Sequence, residues 1–250
     1  MAELAVVTGA GTGIGRALAH ALAERGLNVV AVGRRAAALA ETCSAHPERM
    51  RAVSADVSDP EGRGRIVAAT AGAPVRCLVH NAGVLEPIGP LMEVGLGEWR
   101  RAQAINVEAP LFLSQALLGQ LSGGRILHLS SGAAHHPYSG WGSYCTGKAA
   151  LYMLYQVLRE ELGRQGVAVG SLRPGVVDTP MQGLIRQQTP ERFPEVERFL
   201  ELHARGRLER PEQVAGFASW LLLDVDAGEF AAGEWSFTDA GHRRRWEHSV

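Results

Sequence analysis

Apolar positions along the chain fall into two alternating patterns. Short, nearly continuous apolar runs occupy Leu4–Val7, Leu27–Val32, Val75–Val79, Arg125–Leu129 and Val167–Leu172, with more mixed short strands at Arg51–Ser54 and Gly233–Phe237. Unbroken runs of that length, rather than strict in-out alternation, are what strands buried on both faces of a parallel sheet require. Between them lie stretches with apolar residues every third or fourth position: Arg16–Arg25, Ala36–Ala45, Glu61–Ala71, Trp99–Leu118, Ser143–Leu162 and Pro211–Leu223. That period predicts helices. Glu61–Ala71 holds two glycines and reads as a weak one, while Pro211 opens its helix where a missing N–H costs nothing. Pro180–Leu202 is charged and loosely helical, the pattern expected of a mobile lid over about 180–205. Strand and helix alternate throughout. The prediction is an α/β fold, a doubly wound parallel sheet of about seven strands with helices on both faces and ligands at the strand C-terminal ends.

Composition narrows this picture. A chain of 250 residues, 46% apolar with 30 glycines, suits one domain over 1–250. A net charge of −1 leaves no electrostatic footprint for nucleic acid. Arg243–Arg245 reads as a solvated tail. Cys43, Cys77 and Cys145 are odd in number and share no metal or disulfide spacing, which fits a reducing compartment. No signal peptide precedes Leu4, and no apolar run reaches membrane-spanning length. The expectation is a cytoplasmic protein with no membrane partner. His128, His135 and His136 do not make a metal site, because adjacent histidines on an extended loop point apart and no acid or cysteine completes the set.

Chemistry concentrates at three places. Thr8-Gly-Ala-Gly-Thr-Gly-Ile-Gly15 joins the first strand to the first helix. Glycines there let the backbone approach a pyrophosphate, and the helix N-terminus offers it free N–H groups. The second strand ends in Gly33-Arg34-Arg35, with no acid to hold ribose hydroxyls. An arginine at that point can take a 2′-phosphate, which reads as NADP. The third place is Ser130–Lys148. Tyr144 and Lys148 are one helical turn apart on the same face, and an ammonium that close favours the phenolate and lowers the tyrosine's pKa. Such a tyrosine can exchange a proton with a carbonyl or alcohol oxygen. Ser131, at the preceding strand's end, can bond the same oxygen. Cys145, beside Tyr144, has no motif that would make it a nucleophile.

Together these motifs resemble the short-chain dehydrogenase/reductase family, nearly from end to end of the chain. The resemblance implies a Rossmann-like single domain binding NADP(H). It implies a catalytic set of Ser131, Tyr144, Lys148 and Asn106, the last bending its helix and linking the lysine to water. It implies a cofactor site of Gly9, Thr12, Gly13, Ile14, Gly15, Arg34, Arg35, Asp56, Val57, Asn81, Ala82, Gly83, Tyr144, Lys148, Pro174, Gly175, Val177 and Thr179. Two positions depart from the usual pattern: Gly147 stands before the lysine, removing a hydroxyl near the nicotinamide, and His80 precedes Asn81-Ala82-Gly83.

Within the family, Pro174–Gln182 and the lid resemble sepiapterin reductase and the bacterial benzil reductases. The expected activity is NADPH-dependent reduction of a carbonyl, with Tyr144 as the acid. His135, His136, Tyr138, Trp141, Met181, Leu184 and Phe193 are the candidate substrate walls. Aromatic walls favour a flat, uncharged partner, and no arginine or lysine cluster faces this loop, which disfavours phosphorylated or CoA-linked compounds. The alternatives are another substrate class, such as a 3-oxoacyl thioester or a hydroxysteroid-like alcohol, a sugar-nucleotide epimerase, and a non-catalytic NADP sensor. An intact Ser/Tyr/Lys/Asn set argues against the sensor. Broad apolar coverage of Trp99–Leu118 and Ser143–Leu162 predicts a homodimer or homotetramer through those helices.

Overall fold

The computed structural model describes residues 3–249. In chain order the elements are β1 (Leu4–Thr8), α1 (Gly13–Glu24), β2 (Asn28–Gly33), α2 (Ala36–Cys43), β3 (Met50–Ser54), α3 (Pro60–Thr70) and β4 (Val75–His80). Then come α4 (Leu96–Gln103), α5 (Ala109–Leu117), β5 (Arg125–Leu129), α6 (Gly142–Gly163) and β6 (Ala168–Arg173). The chain ends with α7 (Pro180–Arg186), α8 (Val196–Ala204), α9 (Pro211–Leu223), α10 (Ala227–Phe230), β7 (Glu234–Ser236) and α11 (Ala240–Glu247). The seven strands form one parallel sheet in the order β3-β2-β1-β4-β5-β6-β7. Strand order reverses between β1 and β4, and the crevice beyond their C-terminal ends is where such sheets hold ligands.

Successive residues of each strand serve opposite cores. Val7, Val79, Leu127 and Leu172 pack with Leu18, Phe217 and Leu221 of α1 and α9. Val6, Leu78, Ile126 and Val169 pack with Ile66, Leu113 and Tyr155 of α3, α5 and α6. This two-sided burial is why the strands read as unbroken apolar runs. A third cluster, including Trp141, Tyr144, Phe193 and Phe199, lies beyond the strand ends. Asp59 caps α3 by accepting from the backbone of Glu61 and Gly62, which lets a sequence with two interior glycines form a helix.

Two predictions need correction. Trp99–Leu118 is not one helix: a π-helical turn over Ala104–Glu108 separates α4 from α5, with Asn106 in its middle. The extra residue of that turn absorbs Pro110, which stands in the first turn of α5 where its missing N–H is not needed. Pro180–Leu202, expected to be loosely helical, carries α7 and the start of α8, whose Ile185, Val196 and Phe199 are buried in one cluster with Trp141. Arg243–Arg245 is no solvated tail. It lies on α11, where Arg243 pairs with Glu209 and Glu247, and Arg245 with Glu229. Trp246 of the same helix packs on Phe217 and Phe237.

Candidate active site

A cavity of about 650 Å³ runs along the C-terminal edge of the sheet. At one end it is floored by the turn from β1 to α1, where Gly9, Thr12, Gly13 and Ile14 line it. Gly9 has φ +67°, and a Cβ there would meet the Asn81 amide nitrogen at 2.7 Å, so the turn depends on glycine. Gly15 does not line the cavity. A Cβ on it would collide with the Gly9 carbonyl and the Asn81 side chain, so its role is to let α1 sit close to the β4 end. Thr12 makes no side-chain cap bond, and the first turn of α1 carries no acid. The start of this helix lies on the cavity wall, where its N–H groups and dipole favour an anion. Thr8 Oγ1 accepts the Asn81 and Ala82 N–H groups at 3.0 and 3.1 Å, fixing the two loops that flank the switch point.

Arg34, Arg35, Asp56 and Val57 line the cavity beside this turn. Partial burial works to raise the Asp56 pKa, but the Ser58 hydroxyl and N–H at 2.7 and 3.0 Å, with the charges of Arg101 and Arg34, bring it below the ordinary value. Ala82, Gly83, Pro174, Gly175, Val177 and Thr179 continue the wall toward the centre. The residues present therefore fit a dinucleotide: a glycine cradle and an uncapped helix start at its phosphates, cations and an acid at one end, proton-bearing groups at the other.

Those groups are Ser131, Tyr144 and Lys148. Ser131 leaves β5 in an extended conformation and caps the turn Gly132–Ala134, its Oγ accepting the Ala133 N–H at 3.2 Å. It stands close enough to the Tyr144 hydroxyl to favour the phenolate. α6 carries Tyr144 and Lys148 on its buried side, 7% and 6% exposed. The Lys148 ammonium donates to the Leu129 carbonyl at 2.7 Å and stands 5.7 Å from the Tyr144 ring centre. The expected lowering of the tyrosine's pKa is not found. Burial pushes the Tyr144 phenol up to about 12, outweighing the influence of Ser131, and burial brings the Lys148 ammonium down to about 8. Desolvation is the largest cause for both groups.

Asn106 is 1% exposed and does not line the cavity. Its amide accepts the Val84 N–H at 3.0 Å and donates to the Val84 carbonyl at 2.9 Å. The π-turn thereby holds the loop that follows Gly83. Gly147 also differs from expectation. It faces Gln103 and Asn106, where a Cβ would lie 3.2 and 3.3 Å from side-chain atoms, so its absent side chain concerns the packing of α6 on the π-turn rather than the cofactor wall.

Tyr138, Trp141, Met181 and Leu184 line the far end, with Ile185 and Phe199. Phe193 is fully buried behind this wall, its ring 4.4 Å from that of Trp141 and almost parallel. His135 does not line the cavity; its Nε2 is 2.7 Å from Glu234 and its ring lies against Tyr152. His136 is likewise absent from the lining. One residue that the sequence did not single out does line it: Arg173, at the end of β6. Its position directly before Pro174-Gly175 is the available signal, and a single arginine there is compatible with the expected lack of an arginine or lysine cluster. Below the site His80 and His128, paired across β4 and β5, stack at 4.9 Å with both rings buried.

The comparisons agree with this architecture. The family model for short chain dehydrogenase matches residues 3–190. A benzil reductase ((S)-benzoin forming) of Bacillus subtilis is 32% identical, covering 88% of this chain and 93% of its own. A diacetyl reductase ((S)-acetoin forming) of Staphylococcus epidermidis is 30% identical, covering 96% and 98%. A crystal structure from Beutenbergia cavernae, described as an NAD(P)-dependent gluconate 5-dehydrogenase with bound NADP at low occupancy, superposes with a TM-score of 0.79 at 33% identity, covering 97% of each chain. Sheet order, glycine cradle and the Ser131/Tyr144/Lys148 group thus meet a family match over most of the chain: this protein belongs to the short-chain dehydrogenase family and is an oxidoreductase of CH–OH and C=O groups.

Proposed function

We propose that the protein is an NADPH-dependent carbonyl reductase acting on a vicinal diketone with an aromatic substituent. The observation that carries this reading is the single cavity that brings Ser131, Tyr144 and Lys148 against a largely apolar, aromatic wall. NADPH, when bound, supplies the hydride. The chain's own groups handle the proton. Ser131 Oγ donates to the substrate's carbonyl oxygen and holds it beside the Tyr144 hydroxyl. Tyr144, kept neutral by burial, gives that oxygen its proton. Lys148, anchored on the Leu129 carbonyl, stabilises the phenolate left behind, and Asn106 fixes the loop against which the cofactor would lie. Tyr138, Trp141 and Phe199 exclude water and stack on a flat substrate.

NADPH is preferred over NADH in this reading because the adenosine end presents Arg34 and Arg35 directly after β2, where an acid would otherwise hold ribose hydroxyls. The similarity to a benzil and a diacetyl reductase supports the diketone class, and the NADP-bound relative supports the cofactor. The exposed apolar side chains of α5 and α6, Phe112, Met153 and Val157, support a homodimer or homotetramer through those helices. The test compares benzil, phenylpropanedione, a short aliphatic diketone and an acetoacetyl thioester, following NADPH absorbance under identical conditions. The aromatic diketones are expected to give the highest kcat/KM. A thioester that outperformed them, or no NADPH oxidation with any carbonyl, would overturn the reading.

A further inference from the structure

We propose that Arg173 is a specificity-determining residue that donates to the second, non-reacting oxygen of the dicarbonyl substrate. The inference rests on the reading of this cavity as a carbonyl-reducing site and adds which part of the substrate is recognised, and by what.

Placement comes first. The Ser130 N–H donates to the Leu172 carbonyl at 2.8 Å, so the residue after Leu172 stands beside the strand end that carries Ser131. That residue is Arg173, and it lines the cavity with Ser131 and Tyr144. Its Nε lies 3.0 Å from a Glu234 carboxylate oxygen whose side chain is only 6% exposed. The same carboxylate accepts the Ser171 hydroxyl at 2.9 Å and meets His135 Nε2 at 2.7 Å. His135 follows the turn that Ser131 caps. One carboxylate therefore pairs by charge with the guanidinium, whose Nε makes no aligned hydrogen bond to it, and also meets His135 on the serine's own loop.

The guanidinium is held at one edge only. Among the described residues its two Nη groups meet no acceptor, and the Arg173 side chain keeps 38% of its surface. With 38% of the side chain open, those N–H groups are free to give an oxygen in the cavity a charge-assisted bond. Charge decides which oxygen. Glu234 offsets Arg173 one for one, so the pair presents strong donors with almost no net field. That favours a neutral carbonyl or hydroxyl over a carboxylate, whose desolvation would go uncompensated. A vicinal dicarbonyl offers a second neutral oxygen two bonds from the reacting carbon. A simple ketone leaves the donors unmet, and sites with unmet donors discriminate strongly.

The experiment measures kcat/KM for 1-phenylpropane-1,2-dione, propiophenone and phenylglyoxylate with wild type, Arg173→Met and Arg173→Lys. NADPH binding, read by fluorescence, reports the fold of each variant. The loss on the dione is expected to exceed the loss on propiophenone by roughly tenfold to a hundredfold in Arg173→Met, the range of a hydrogen bond to a charged group. Arg173→Lys keeps a cation beside Glu234 and should show the same selective loss; it decides the matter if the methionine variant fails to bind NADPH. Parallel losses on dione and propiophenone overturn the assignment of Arg173 while leaving carbonyl reduction intact. Wild-type preference for phenylglyoxylate over the dione overturns the neutral-oxygen argument. A wild type that binds NADPH yet reduces none of the three overturns the functional reading, and this inference with it.

Discussion

His128 should set much of this protein's sensitivity to acid. The side chain is fully buried on the α6 side of the sheet, and neither ring nitrogen has a partner among the described residues. Burial, with a smaller contribution from the Lys148 charge, brings its pKa from the ordinary 6.5 to about 3. Its stacking partner His80 is shifted downward too, by burial first and then by His128, though its Nε2 does meet Ser114 Oγ at 2.8 Å. The folded state thus refuses a proton that the unfolded chain accepts. Above pH 6.5 both states hold a neutral ring and nothing is lost. As pH falls from 6.5 toward 3 the unfolded state binds more protons, so stability decreases with falling pH. At roughly 1.4 kcal/mol per pH unit, the His128 contribution is a loss of about 3 kcal/mol at pH 4.5 and about 5 kcal/mol once the folded pKa is reached. That is a large share of a typical folding free energy. His128→Leu removes the titration and two unpartnered nitrogens, and at pH 7 it should be close to neutral. The assay is urea unfolding followed by circular dichroism at pH 7 and pH 4.5. The variant should lose about 3 kcal/mol less than wild type between the two. Equal losses in both proteins would refute the argument.

Tyr144→Phe should retain NADPH binding but lose turnover by roughly 10²- to 10⁴-fold; a variant keeping more than about a tenth of the wild-type rate would remove Tyr144 as the acid. Arg34→Ala should lower the NADPH-over-NADH preference by about one to two orders of magnitude, read from kcat/KM with each cofactor. A wild type that used both cofactors equally would contradict the assignment of the adenosine end. Light scattering at micromolar concentration should give a dimer or tetramer mass, and Met153→Glu on the exposed face of α6 should shift it toward the monomer.

The limits of the sequence reading follow from which interactions are local. The strands were legible because burial on both faces leaves unbroken apolar runs. Tyr144 and Lys148 were legible because four residues on a helix fix a shared face. Asn106 was visible as a polar residue inside an apolar helix, but the π-turn that its amide helps stabilise depends on Val84, a contact between distant segments. The tyrosine's pKa was misjudged for the same reason. The spacing revealed the attracting charge, whereas the burial that overrides it is a property of Trp141, Phe193 and Phe199 closing over α6. Arg173, Glu234 and His135 meet only through strand order, since β6 lies between β5 and β7 and the chain gives no local hint of it. The same register aligns His80, His128, Ser171 and Glu234 across four adjacent strands. Polar residues inside apolar strands each read as an isolated exception. Once the sheet is assembled they form one row across β4, β5, β6 and β7, whose end at Glu234 meets Arg173 and His135.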